Sequence, residues 1–410
     1  MFNSRVIASL ALLAVCSPSA AAAAEDWPKW LGPRGDNISK EEVASTWPSD
    51  GPKRLWEVAD VGTGHSSPIA RDGKVYLFTL NGSEEVLTCF DAKTGDVAWK
   101  QAYSIPRKPQ YEGTRATPTI EGDRIYTFGE MGDLVCRELA DGKEVWRTNV
   151  LKETVTKLLQ WGCASSPLIV GDRIFVQTGE GGPIAVSVNK LDGKVQWKSE
   201  ARSKAGYAAL VYADVQPKPQ LLIFAGKAVG GIDPETGKSL WDDRFETRYD
   251  VNAATPIFHE GRVLFTAEYD TGRAAMYELS GRGAKKVWES KNLKSKFQPV
   301  ILEEGVVYGN SGGNLVCINW DDGKLLWQAK EKNLNLGPGG SILRAGGDKL
   351  ITMSERGRLS LVRATPKGYE LLGQQPLFDG NQVWASPLLY DGKLYCKGMD
   401  EFVCLDVSGK

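Results

Sequence analysis

The residues able to do chemistry in this chain are few. Only two histidines occur in 410 residues. His259 sits in turn text, Phe258-His259-Glu260-Gly261, and is expected to be an exposed turn residue. His65 lies in Gly62-Thr63-Gly64-His65-Ser66-Ser67, three residues before Pro68. Six cysteines follow residue 24: Cys89, Cys136, Cys163, Cys317, Cys396 and Cys404. None forms Cys-x-x-Cys-His, which excludes a c-type haem. No two are adjacent, and there is no Gly-rich phosphate loop, nucleophile elbow or His-Glu-x-x-His. A calcium site needs roughly six to eight oxygens, and only Asp250 and Asn252 approach such a set. Asp242, Asp243 and Asp250 flank Arg244 and Arg248, which suggests local ion pairing on a loop. Acid–base and metal chemistry are thus poorly supplied, and no catalytic residue is expected.

The elements that position these residues are set by tryptophan. Trp56, Trp99, Trp146, Trp197, Trp241, Trp288 and Trp327 are 43, 47, 51, 44, 47 and 39 residues apart, and Leu372 follows 45 later. Glycine precedes most of them by four residues, as Gly95, Gly142, Gly193, Gly237 and Gly323. A second marker shares the period: Ser67-Pro68, Thr117-Pro118, Ser166-Pro167, Thr255-Pro256, Gln298-Pro299 and Ser386-Pro387, with Ala208-Ala209 and Ser341-Ile342 in the two remaining slots. Proline is tolerated at the first residue of a strand because its missing N–H costs no ladder bond there. Between the markers stand short turns such as Asp72-Gly73 and Asp391-Gly392, flanked by β-branched and aromatic residues. A period near 45 residues with four strands per unit predicts an all-β, eight-bladed propeller of antiparallel blades over residues 51–410.

Eight starts require eight outer strands, but only seven follow their own start. Trp56, in Arg54-Leu55-Trp56-Glu57, precedes the first start. The N-terminal strand is therefore expected to complete the last blade and close the ring. Each tryptophan should wedge between blades against a glycine-bearing turn, a structural role. Cys89, Cys136, Cys317 and Cys404 occupy one slot of blades 1, 2, 6 and 8 and read as small buried hydrophobes. Equivalent slots lie a blade apart, too far for a disulfide. Cys396 and Cys404 share a hairpin and could pair across it.

In a propeller the segment leading into each innermost strand crosses the channel mouth, where ligands are commonly met. Around the ring these segments carry His65, Arg115, Trp161, Tyr207, Asn252, Gln298 and Trp384. They are the expected binding residues. Apolar positions 151, 155, 158 and 159 follow helical spacing, so a short amphipathic helix is expected over the mouth.

The chain opens with Arg5, an apolar run from Val6 to Val15 and a small-residue stretch from Ala20 to Ala24. That order predicts a signal peptide over residues 1–24, with a lead segment over 25–50. Leu13-Ala14-Val15-Cys16 offers a competing lipidation site at Cys16. No stretch reaches the length of a transmembrane helix. The net charge of −1 offers nothing to a polyanion, so a nucleic-acid partner is not expected.

The pieces Thr88-Cys89-Phe90-Asp91-Ala92-Lys93-Thr94-Gly95-Asp96-Val97-Ala98-Trp99 and Gly231-Ile232-Asp233-Pro234-Glu235-Thr236-Gly237-Lys238-Ser239-Leu240-Trp241 resemble the tryptophan-docking motif of PQQ-repeat (quinoprotein-like) β-propellers. The resemblance covers nearly all of residues 50–410. It implies one of two branches: quinoprotein dehydrogenases, or secreted non-enzymatic propellers of the BamB type. The second implies an exported scaffold, periplasmic or extracellular, with a protein or glycan partner in the cell envelope, no cofactor, and a place in outer-membrane protein assembly. The first would bring PQQ with calcium.

Overall fold

The computed structural model describes residues 25–409 apart from 107–110, 112, 282 and 381. The leader and Cys16 lie outside the described residues. Among those described, the strands form eight four-stranded antiparallel sheets and one two-stranded ribbon. The blades span 69–104, 119–149, 168–198, 211–244, 257–290, 301–328 and 341–376, and the eighth combines 388–406 with the N-terminal strand β1, Arg54–Val58. Trp56 of β1 pairs with Cys404 and Val58 with Phe402, so the two ends of the chain complete one sheet. Ring closure through Trp56 is as expected. It gives the last blade the fourth strand that the other blades have.

The inner hairpins need left-handed backbone. In the first blade Asp72 and Gly73 have φ of 50° and 72°, which matches the twist of flanking strands in a two-residue turn. Hydrophobic cores lie between blades rather than at one centre. Ile301, Tyr308 and Cys317 of blade 6, for example, pack in one cluster with Ile342, Leu350 and Val362 of blade 7.

The tryptophan period now has a contact. A Cβ added to Gly95, at φ 79°, would lie 2.8 Å from the Trp56 ring, and the Trp56 indole N–H donates to Ala92 O at 3.2 Å. The same close approach joins Trp99 to Gly142, Trp146 to Gly193, Trp197 to Gly237 and Trp288 to Gly323. Trp241 and Trp327 depart from it. The outer hairpins they meet are tighter, with Ser280 paired to Gly283 and Thr365 to Gly368. Trp241 instead bonds the Gln220 side chain at 2.7 Å and stacks on Tyr277, while Trp327 bonds Thr365 O and meets Tyr369.

The cysteine slot is explained by the same rings. Cys89, Cys136, Cys317 and Cys404 stand opposite Trp99, Trp146, Trp327 and Trp56 on one side, and opposite Tyr76, Tyr126, Tyr308 and Tyr395 on the other. The tyrosine and tryptophan rings meet over the small thiol at centroid distances of 5.8–6.1 Å. A bulkier residue would separate them. The disulfide between Cys396 and Cys404 is overturned: all six cysteines are free and buried. Cys396 pairs with Val403 and Cys404 with Tyr395, so the two side chains project from opposite faces of the sheet.

The expected helix is shorter than its apolar spacing suggested. It covers only Val150–Thr154, capped by the Asn149 side chain, and ends at Val155 in left-handed backbone. Lys157 is then drawn into paired hydrogen bonds with Glu180, which take the backbone away from the helix.

The lead segment is a strap across the face that carries the inner hairpins. Trp27 bridges Ala70, Pro28 O accepts from Ile120 N, Ile38 pairs with Arg344, and the Glu41 carboxylate accepts the N–H groups of Asp391 and Gly392. Midway, Trp30 enters the channel and donates its indole N–H to Thr255 Oγ1 at 3.0 Å.

Candidate functional site

The small residues that open the blades form a belt around the channel. Ser386 N–H donates to Ser67 Oγ at 2.9 Å, Ser67 N–H to Thr117 Oγ1 at 3.1 Å, and Thr117 N–H to Ser166 Oγ at 2.9 Å. A hydroxyl there satisfies the backbone of the neighbouring blade, which is why Ser or Thr recurs before the proline. Thr255, in the same slot, holds Trp30.

Above the belt is a chamber of about 560 Å³. Of the seven residues expected at the mouth, six line it: His65, Arg115, Trp161, Tyr207, Gln298 and Trp384. Asn252 does not. It is fully buried and gives its amide N–H groups to Ala225 O, Gly226 O and Phe245 O, while its carbonyl accepts from Thr247. Main-chain carbonyls take its amide N–H groups and the Thr247 hydroxyl serves its oxygen, so Asn252 is a loop post rather than a lining residue.

The lining is aromatic. Trp384 stacks on His65 at 4.4 Å and on Phe297 at 4.8 Å. Across the chamber Trp161 meets Tyr207 at 5.9 Å and Tyr249 at 6.3 Å, and Tyr249 meets Tyr269 at 6.3 Å. Sequence analysis takes one residue from each leading segment and so misses Tyr249, Lys296, Phe297 and Gln382, which stand one to three positions before Asn252, Gln298 and Trp384, and Tyr269, which comes from a hairpin between two strands of blade 5. Tyr249 and Gln382 have φ of 65° and 72°. Left-handed backbone at bulky residues costs free energy and tends to collect at binding sites. The floor is Trp30, which also borders a second cavity of about 1150 Å³ on the opposite face. One indole therefore partitions the channel.

The charges at the mouth are largely spent. Arg115 donates to Glu130 Oε1 at 2.7 Å, to Gly113 O and to Tyr111 O, and Glu130 is fully buried. Glu130 N–H in turn donates to Glu85 at 2.6 Å, and Glu85 accepts from the Tyr103 hydroxyl. Burial pushes the Glu85 carboxyl up to about 7, against the opposing pull of those two hydrogen bonds. His65 is pushed down to about 3, first by burial, then by the charges of Arg115 and Lys397. It is a neutral ring at physiological pH, a stacking partner rather than a cation. Lys397 is buried and donates to Gly62 O, Gly398 O and Met399 O at 2.7–3.0 Å, tying blade 8 to the first leading segment.

A calcium-bound quinone fits these residues badly. Among the described residues the chamber lining contains no Asp or Glu, and no cluster of three metal-ligating side chains occurs. Asp250 is not in the lining and pairs with Lys204 at 3.5 Å. Of the local pairing expected around it, Arg244 pairs with Glu246 at 2.6 Å, whereas Arg248 and Asp243 take longer-range partners, Asp270 and Lys286. Calcium needs several convergent oxygens, and the neutral amides and hydroxyls here do not supply that charge. His259 is half exposed in its hairpin, beside Glu260, as expected.

Among relatives, the assembly factor BamB of Moranella endobia is 23% identical over 360 residues, covering 72% of this chain and 84% of that protein. The crystal structure of BamB from Moraxella catarrhalis superposes with a TM-score of 0.61 at 15% identity, over 86% of this chain and 96% of the other. Quinohemoprotein alcohol dehydrogenase from Comamonas testosteroni gives 0.67 at 14% identity, over 94% and 81%. At that identity both superpositions speak for the fold alone. The sequence profile described as "Outer membrane protein assembly factor BamB" matches residues 40–157 and 83–328. Matched over more than half its length and built of eight such blades, the chain belongs to this BamB family of PQQ-repeat β-propellers.

Proposed function

We propose that this chain is an exported, non-enzymatic scaffold of the cell envelope, periplasmic in placement, which holds a protein partner at the channel mouth during outer-membrane protein assembly. The observation that carries the reading is the chamber lining: aromatic rings and amides, with no carboxylate and no convergent ligand set among the described residues. Such walls favour stacking and hydrogen bonding with an inserted segment and leave no base opposite a reacting atom. Family membership supports the assembly role, and the leader sequence supports export. No described helix is long and apolar enough to cross a membrane.

The test is site-specific photo-crosslinking in cells from position 249, whose tyrosine is half exposed at the rim. The scaffold reading expects one discrete envelope protein to be captured, and capture to be lost with Trp161→Ala. Absence of a mouth crosslink overturns it. Dye reduction by the wild-type protein with PQQ, Ca²⁺ and an alcohol, abolished by Asp250→Ala, would install an oxidoreductase in its place.

A further inference from the structure

Two arcs of rings face each other across the chamber. One runs Tyr207, Trp161, Tyr249, Tyr269; the other runs Phe297, Trp384, His65. Lys296 joins them. Its ammonium lies 5.2 Å from the Tyr269 ring centre and 4.9 Å from that of Phe297. Unlike Arg115, it forms no ion pair within 4.0 Å among the described residues. Glu268 shares its field: burial raises the Glu268 pKa and the charge of Lys296 draws it back down, but this carboxyl is not in the lining. Glu355 is engaged with the N–H of Gly339.

A half-buried ammonium wedged between two rings, with no ion pair of its own and no carboxylate in the chamber lining among the described residues, is open to a counter-charge from an occupant. Trp384 adds a buried indole N–H with no acceptor. Unpaired donors in a partly desolvated site cost free energy that a matching acceptor recovers. The complement is an anion beside a flat apolar group, able to stack between the arcs while its oxygens reach Lys296. Trp30 stands at the floor between this chamber and the second cavity, so an occupant reaching in from the mouth meets its indole and stays attached to whatever lies outside.

We infer that the chamber recognises a carboxylate side chain next to an aromatic residue, presented on an inserted segment of a protein partner, with Lys296 as the residue that selects it. This rests on the scaffold reading above and deepens it.

The experiment titrates the full chain with three blocked peptides, acetyl-Phe-Glu-Phe-amide and its Gln and Lys counterparts, following chamber tryptophan fluorescence. The Glu peptide is expected to bind at least tenfold more tightly than the Gln peptide. Lys296→Met should erase that difference, and Lys296→Glu should reverse it toward the Lys peptide, both with unchanged thermal melting. Equal binding of the Glu and Gln peptides, a preference that survives Lys296→Met, or no binding of any peptide overturns the inference. Free phenylacetate binding as tightly as the Glu peptide overturns its protein-borne part. A mouth crosslink that persists without acid preference sinks this inference and spares the scaffold, whereas loss of the crosslink sinks the scaffold itself.

Discussion

The hydroxyl of Ser67 accepts the main-chain N–H of Ser386 at 2.9 Å, joining the first and last blades across 319 residues. Both residues are buried. Ser67→Ala leaves that N–H without its acceptor, a loss of about 1–3 kcal/mol. Denaturant unfolding should show a lower midpoint with an unchanged slope, and Ser67→Thr should restore most of it.

Closure through β1 makes a second prediction. Trp56→Ala should cost about 3–5 kcal/mol. Gly95→Ala should also destabilise, since its Cβ would lie 2.8 Å from the Trp56 ring at a φ of 79°. Combined, the two changes should cost less than the sum of each alone, because both remove the same contact. Thermal melting of the three variants measures this.

The thiols are predicted to be silent. Burial pushes Cys404 up to about 12 and Cys396 well above the ordinary thiol range. A thiol reagent should therefore find no reactive cysteine in the native protein and all of them in guanidinium. A reductant should leave the melting temperature unchanged.

Glu85 sets a pH dependence. Its folded pKa is raised to about 7 from 4.5, chiefly by burial. Between those values the native state holds a proton that the unfolded chain has released. The stability contributed is fully present below about pH 4.5 and is lost as pH rises through about 7. Glu85→Gln should flatten this part of the curve of melting temperature against pH. An unchanged slope would argue that the carboxyl is ionised in the fold.

Arg115 and Trp161 should separate. Arg115 is the cation paired with a fully buried Glu130, so Arg115→Ala should destabilise by about 3–5 kcal/mol. The sequence alone marks Arg115 as a binding residue of the mouth, and the ion pair gives it a structural role as well. Trp161→Ala should leave the melting temperature within a few degrees while weakening partner capture. Differential scanning of both variants beside the crosslinking assay decides it.

Much of the architecture is legible without coordinates. The Trp period, the glycine four residues earlier and the Ser/Thr-Pro starts lie within single repeats, and repetition makes them visible. The unused Trp56 announced ring closure by its position alone. Six of the seven residues expected at the mouth line the chamber because each lies in the segment that leads into an innermost strand. Asn252 lies in such a segment but turns inward, because the loop around it leaves three carbonyls that need a donor. The apolar spacing at 151–159 failed for a similar reason. A strand partner at Glu180 competed for the same backbone and won.

By itself, the sequence determined the blade count, the closing strand and the scarcity of catalytic groups, since these follow from local periodicity and from which side chains exist at all. Only the tertiary structure decided that Trp30 stands between the two cavities, that Arg115 is ion-paired while Lys296 is not, and that Cys396 and Cys404 face apart. Those outcomes depend on residues tens to hundreds of positions apart being brought within a few ångströms, where burial and the nearest opposite charge, rather than residue type, set what a side chain can do.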